Sequence, residues 1–228
     1  MSKEWSSPWN QFNSAKMLMW GKYIEACLKQ EYLVPPMVDL DLSSRCQLRC
    51  PHCNADGILD KHLKDLSTEH YFAVADFLRD WRIGNKEERV LSCCISGGGE
   101  SLMHPGWKDI LTRVHENGIE IGLITNGSLV DDNGIEVIAD TCQWVGFSMD
   151  AATNETYQKI KGIKSDVFNK VCENLGKLAT QYNKIGKTNG VCFKFLLSPT
   201  NYNEIYEAAK LAKSLGVHDF HLRPVGYL

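Results

Sequence analysis

Apolar residues recur along this chain in two alternating rhythms. Between about 14 and 30, Met17, Trp20, Ile24, Cys27 and Leu28 repeat at helical spacing, and "VPP" at 34–36 cannot continue a helix. "MVDLDLS" then takes the period of a strand, with Val38, Leu40 and Leu42 on one face and Asp39 and Asp41 on the other. "STEHYFAVADFLRDW" returns to helical period, with Ser67 as N-cap and Glu69 in the first turn. The alternation continues through strand "RVLSCCIS", helix "GWKDILTRVHEN" stopping at Gly118, strand "IEIGLIT" and a short helix near 131–140. Strand "QWVGFSMD", helices "NETYQKI" and "SDVFNKVCENLGKLATQY", strand "GVCFKFLLS", helix "YNEIYEAAKLAKSLG" and strand "DFHLRPV" complete it.

Strands that alternate with helices make parallel βαβ units with right-handed crossovers. The pattern predicts an α/β fold, a partial (βα)6 TIM-like barrel of parallel strands, with an open doubly wound sheet as the alternative. Residues 1–33 form an N-terminal arm and helix outside the core of 34–228. The arm carries Trp5, Pro8, Trp9 and Phe12 without periodicity. In either architecture the chemistry belongs at the carboxyl ends of the strands.

Composition narrows the setting. The chain has 228 residues, 43% of them hydrophobic and 23% charged, with a formal net charge of -3, which is globular and not basic. Nucleic acid and anionic membrane are therefore poor partners. No apolar run is long enough to span a bilayer. Nine cysteines, an odd number without a regular framework and without a signal peptide, predict a reducing, cytoplasmic setting. There, clustered thiols mean metal or catalysis.

One such cluster stands out. "CQLRCPHC" places Cys46, Cys50 and Cys53 in a C-x3-C-x2-C loop after the first strand. A structural zinc site wants four closed ligands, and no fourth follows at finger spacing. An iron–sulfur cubane takes one thiolate per iron, so three cysteines leave one iron open. On this loop alone, zinc and cluster have comparable standing. Cys27, Cys93, Cys94, Cys142, Cys172 and Cys192 are scattered, and most are expected to be buried core thiols.

"SGGGES" follows the second strand. Gly97, Gly98 and Gly99 let a ligand approach the backbone, and Glu100 beside them attracts an ammonium and repels phosphate. Such a turn suits a zwitterion. "ITNG" ends the third strand and "SMDA" the fourth, so the unusual residues share one face of the fold.

Taken together, "CQLRCPHC", "GGGE", "ITNG" and "SMDA", in that order over 36–228, resemble the radical S-adenosylmethionine (radical SAM) superfamily. The style of "YQKIKG" and "RPV" is similar to its SPASM/Twitch and molybdenum-cofactor-cyclase branch. The resemblance implies an enzyme in which Cys46, Cys50 and Cys53 ligate a [4Fe-4S] cluster whose open iron chelates S-adenosyl-L-methionine (SAM). It implies that Gly98, Gly99 and Glu100, in the turn that Gly97 begins, hold the methionyl amine. His52 and the backbone near Asn54 would lie by the adenine, and Thr125, Asn126, Ser148 and Asp150 near the ribose or sulfonium. Lys161 stands where relatives carry a basic residue near SAM. Reductive cleavage of SAM would yield a 5′-deoxyadenosyl radical that takes hydrogen from a peptide, protein or small polar substrate, fed by an electron donor such as flavodoxin or ferredoxin. Related compact readings are a glycyl-radical-enzyme activase and a deazapurine synthase, and a non-catalytic metal- or cluster-bearing module is a reading of another class. Strand parity adds Lys194, His221 and Arg223 as lumen residues that could meet the SAM carboxylate or a polar substrate. The chain stops after its sixth strand with no further cysteine motif, and an auxiliary-cluster domain is expected beyond it.

Overall fold

The structure is a computed structural model, and it describes residues 20–55 and 64–225. The arm and the first part of the N-terminal helix lie outside the described residues. Six strands, β1 (Met37–Asp41), β2 (Ser92–Ser96), β3 (Glu120–Thr125), β4 (Cys142–Ser148), β5 (Val191–Leu197) and β6 (Asp219–Pro224), form one sheet in sequential order. Every neighbouring pair is parallel. The helices are α1 (Gly21–Leu28), α2 (Thr68–Asp80), α3 (Trp107–Glu116), α4 (Asp132–Thr141), α5 (Asn154–Lys161), α6 (Phe168–Lys184) and α7 (Ile205–Ser214). This is the parallel α/β architecture of a partial (βα)6 barrel, as the alternation of periods predicts.

One face of the sheet is apolar. Cys93, Ile95, Ile121, Leu123, Val145, Phe147, Phe193 and Phe195 are buried in the core formed with Tyr71, Leu78, Ile110, Leu111, Ile138 and Leu175 of the helices. The strand pairing puts Val145 beside Val191 and Phe147 beside Phe193, so apolar residues align across strands. The alternate positions mix polar residues with small and apolar ones. Asp39 pairs with Cys94, Lys194 with His221, and Leu196 with Arg223, on the face turned from those helices. Asp39 and Asp41 are exposed there while Val38 and Leu40 pack on the core, as parity requires.

Local signals hold at most element ends. The Ser67 hydroxyl accepts the His70 N–H and caps α2, and the Asp131 carboxylate accepts the Gly134 N–H and caps α4. Gly118 follows α3 with φ 69°.

Helix α1 departs from the sequence reading. It ends at Leu28, well before the prolines. The Glu31 N–H bonds the Ala26 carbonyl and the Gln30 N–H the Cys27 carbonyl, with Gln30 at φ 55°. This is a Schellman termination, with glutamine in the place glycine usually takes. Its apolar stripe is not buried either. Ile24, Cys27 and Leu28 are exposed and only Ala26 is covered, because no described element packs over them.

One buried polar side chain positions the top of the sheet. Asn174 in α6 donates both amide hydrogens, to the Gly127 carbonyl at 2.9 Å and the Val130 carbonyl at 3.0 Å. It thereby fastens the loop after β3. Asn174→Leu strands two buried carbonyls, so we expect a loss of about 2–4 kcal/mol of stability, read from urea unfolding at unchanged m-value.

Candidate functional site

The loops after β1, β2, β3 and β4 converge at the carboxyl end of the sheet. The cysteine loop lies against the glycine turn. The Glu100 N–H bonds the Arg45 carbonyl at 2.8 Å. A Cβ on Gly99 would stand 2.3 Å from that carbonyl and 2.5 Å from the Ser43 carbonyl, so only glycine lets these two backbones meet. Gly97 turns at φ 151° directly over the Asp41 side chain, and the Gly98 N–H donates to Asp41 Oδ2 at 3.2 Å.

This changes the part expected of Glu100. Its side chain points inward and is 4% exposed. Oε1 accepts the Thr125 hydroxyl at 2.6 Å and the Leu102 N–H at 3.3 Å, and Oε2 accepts the Asn126 N–H at 2.8 Å. Burial pushes its pKa up against these three bonds and the charge of Lys161, which pull it down. Glu100 joins loops. The carboxylate that the glycine turn presents on the open side is that of Asp41, which is exposed. Strand parity aims Asp41 into the lumen, but the contact with Gly98, 57 residues away, is invisible in the sequence.

Thr125 is likewise committed. Its hydroxyl donates to Glu100 and accepts the Gly127 N–H at 3.0 Å. Asn126 Oδ1 accepts from Gln47 of the cysteine loop and from Ser128, whereas its buried Nδ2 has no partner among the described residues. Ser148 ends β4 half-buried.

Asp150 and Lys161 find each other. Asp150 adopts φ 59°, a left-handed turn that a short polar side chain tolerates. Its Oδ1 accepts the Leu196 N–H at 2.7 Å and its Oδ2 meets Lys161 Nζ at 2.5 Å, with both side chains 2% exposed or less. The Asp150 carbonyl accepts a hydrogen bond from buried Asn201. Burial alone would lower the Lys161 pKa, but Asp150 and the Cys50 thiol beside it hold it above the ordinary value. Asp150 and Lys161, expected near SAM, form a buried pair beneath the cysteine loop. The Lys161 carbonyl accepts the Arg49 N–H at 2.9 Å, and a Cβ on Gly162 would stand 2.0 Å from the Arg49 carbonyl. The last turn of α5 thus supports the residue before Cys50.

Cys46, Cys50 and Cys53 are free thiols, each half-buried, and they lie close enough to sense one another's charge. Burial raises the pKa of Cys46 and Cys50, and neighbouring thiols add to the rise. Such thiols ionise only beside a compensating positive charge. A cubane takes one thiolate per iron, so three thiols in one loop can ligate three of its irons. The donor set fits a cluster, and the unpartnered Asn126 Nδ2 fits a polar ligand beside it.

His52 is half-buried, and burial lowers its pKa with Asp150 and Lys161 nearby. Asn54 is exposed. Lys194 and His221 also have lowered pKa values, chiefly from burial and then, for His221, from the charges of Lys194 and Arg223. Lys194 and His221 pair across β5 and β6, and Arg223, two residues further along β6, is exposed. The sequence reading did not single out Tyr157. Its side chain is fully buried beside Lys161, and its hydroxyl has no partner among the described residues.

The family profile described as the Radical SAM superfamily matches residues 40–196. The chain belongs to this superfamily. It is 27% identical over 194 residues to the antilisterial bacteriocin subtilosin biosynthesis protein AlbA of Bacillus subtilis, covering 83% of this chain and 39% of AlbA. It is 30% identical over 143 residues to the GTP 3′,8-cyclase of Staphylococcus carnosus, covering 58% and 40%. Streptococcus suis SuiB shares the fold. Its complex with precursor peptide SuiA has a TM-score of 0.67 at 18% identity and covers 95% of this chain and 46% of SuiB. SuiB is also solved with bound S-adenosylmethionine. The chain spans less than half the length of each of these proteins.

The buried pair gives a direct test. Lys161→Met leaves the Asp150 carboxylate buried and unpaired, and we expect a loss of about 3–5 kcal/mol. Asp150→Asn combined with Lys161→Met removes both charges and keeps an oxygen for the Leu196 N–H. Urea unfolding should show the double variant recovering much of that loss.

Proposed function

We propose that this chain is the catalytic core of a radical SAM enzyme, with Cys46, Cys50 and Cys53 holding a [4Fe-4S] cluster. The observation that carries the reading is the packing of three free, half-buried thiols against a glycine turn at the carboxyl ends of parallel strands. When bound, cluster and SAM supply one-electron cleavage of a sulfur–carbon bond and a 5′-deoxyadenosyl radical that takes hydrogen from substrate.

The residues of the chain bind and orient. Gly97, Gly98 and Gly99 admit the methionyl end of SAM, and Asp41, in place of Glu100, faces its ammonium. Asn126 Nδ2 donates to the bound nucleoside, Ser148 borders it, and His52 and Asn54 flank the adenine side. Glu100 and Thr125 set the position of Asn126. Asp150 and Lys161 act from below, fixing the β4 end and the backbone before Cys50. Lys194, His221 and Arg223 line the lumen, with Asp39 opposite at β1. A polar substrate carrying a carboxylate or similar anion suits them, whether a peptide or a small molecule. Residues 1–33 stand outside this core of 34–228. The low-potential electron comes from a donor such as flavodoxin or ferredoxin in the cytoplasm. Among the described residues no helix is long and apolar enough to cross a membrane.

The reading is tested by anaerobic reconstitution with iron and sulfide, reduction, and addition of SAM. Wild type should release 5′-deoxyadenosine and Cys50→Ala none. A wild-type protein that takes up zinc and no cluster would refute it. Asp41→Asn keeps an acceptor for the Gly98 N–H but loses the charge facing the ammonium. By calorimetry on the cluster-loaded protein we expect SAM affinity to fall roughly 10- to 100-fold, the worth of one charge-assisted hydrogen bond.

A further inference from the structure

Arg49 stands between Cys46 and Cys50, and its half-buried side chain turns back onto its own loop. Nη1 donates to the Cys46 carbonyl at 2.7 Å and to the Leu48 carbonyl at 2.6 Å. Both acceptors are neutral, so these bonds leave the guanidinium charge uncancelled inside the cysteine loop. The backbone of Arg49 is held from the other side. Its N–H bonds the Lys161 carbonyl at 2.9 Å, and its own carbonyl runs so close to Gly162 that a Cβ there would stand 2.0 Å away. The loop pinned in this way is a tight turn. The Leu48 N–H points back at the Cys46 sulfur, with nitrogen and sulfur 3.4 Å apart. The Leu48 side chain, 4% exposed, anchors that turn in the protein. One arginine thus clasps the carbonyls on either side of the single N–H that reaches a ligand-position sulfur.

We propose that Arg49, by clasping the Cys46 and Leu48 carbonyls, holds the Leu48 N–H on the Cys46 sulfur while that sulfur ligates the cluster, and so raises the cluster's reduction potential. The inference rests on the cluster reading above. It makes Arg49 a positioning residue that acts through the shape and charge of the loop. An N–H that donates to a ligand sulfur withdraws charge from it, and the bond strengthens when the sulfur is a thiolate. The guanidinium, fixed to the carbonyl of the same cysteine, adds positive charge beside it. Both favour the reduced cluster, which carries one more electron.

The test is Arg49→Met, which keeps the length of the side chain and removes its charge and donors. In the apo protein, hydrogen exchange at the Leu48 amide should quicken relative to wild type. After anaerobic reconstitution the iron content should be unchanged, because all three thiols remain. An EPR-monitored redox titration should then find the cluster about tenfold harder to reduce, ~59 mV lower for one electron. A merely structural arginine would lower apo stability in urea and leave the potential at its wild-type value, and that result would overturn the proposal. A second protein tests the bond with Arg49 in place and guards against misfolding of the first. An ester at the Leu48 amide, introduced with the α-hydroxy acid analogue of leucine, removes that N–H alone and should also lower the potential. Intact clusters at the wild-type potential in this protein would overturn the proposal as well. A wild type that binds no cluster overturns the reading beneath it, and that outcome is visible in the iron content before any titration.

Discussion

A single buried carboxylate holds the working face of this protein together. Glu100 receives a hydroxyl and a backbone N–H from the end of β3, caps the turn that follows it, and its own N–H bonds the cysteine loop. Three loops that share no secondary structure are thus fixed to one another. Parallel strands impose this need. Where the ladder ends, backbone groups lose their partners together on one side of the sheet, and something must satisfy them away from water. Glu100 does so for β2 and β3, Asp150 for β4 and β5, and Asn201 and Asn174 for the loops beside them.

The second consequence is electrostatic. Burying Glu100, Asp150 and Lys161 near three thiols places two negative groups and one positive group under a site that must accept further charge. The Asp150–Lys161 pair neutralises itself, and Glu100 spreads its charge over three donors. What stays exposed at the turn is the Asp41 carboxylate. The buried network fixes the loops to one another beneath it.

Much of this was legible in the chain. The alternation of period 2 and period 3.6 gave the six strands and the order of the helices, because burial on one face is written locally. The cysteine spacing and the glycine run were legible for the same reason: ligand chemistry and backbone clearance are properties of short segments. Helix α1 shows where such reading stops. Its spacing predicted a helix that runs toward the prolines, but its end came from a Schellman turn at Gln30, and nothing described covers Ile24 or Leu28.

By itself the sequence determined the fold class, the three thiols and the turn that faces them, each encoded within a few consecutive residues. Only the tertiary structure decided which carboxylate serves which purpose. Glu100 follows the glycines directly, yet it turns inward because Thr125 and the Asn126 N–H wait 25 and 26 residues later. Asp41, 57 residues before Gly98, takes the open side. Asp150 and Lys161 were singled out separately and proved to be one pair. Hydrogen-bond partners are chosen by distances across loops, and no periodicity along the chain records those distances.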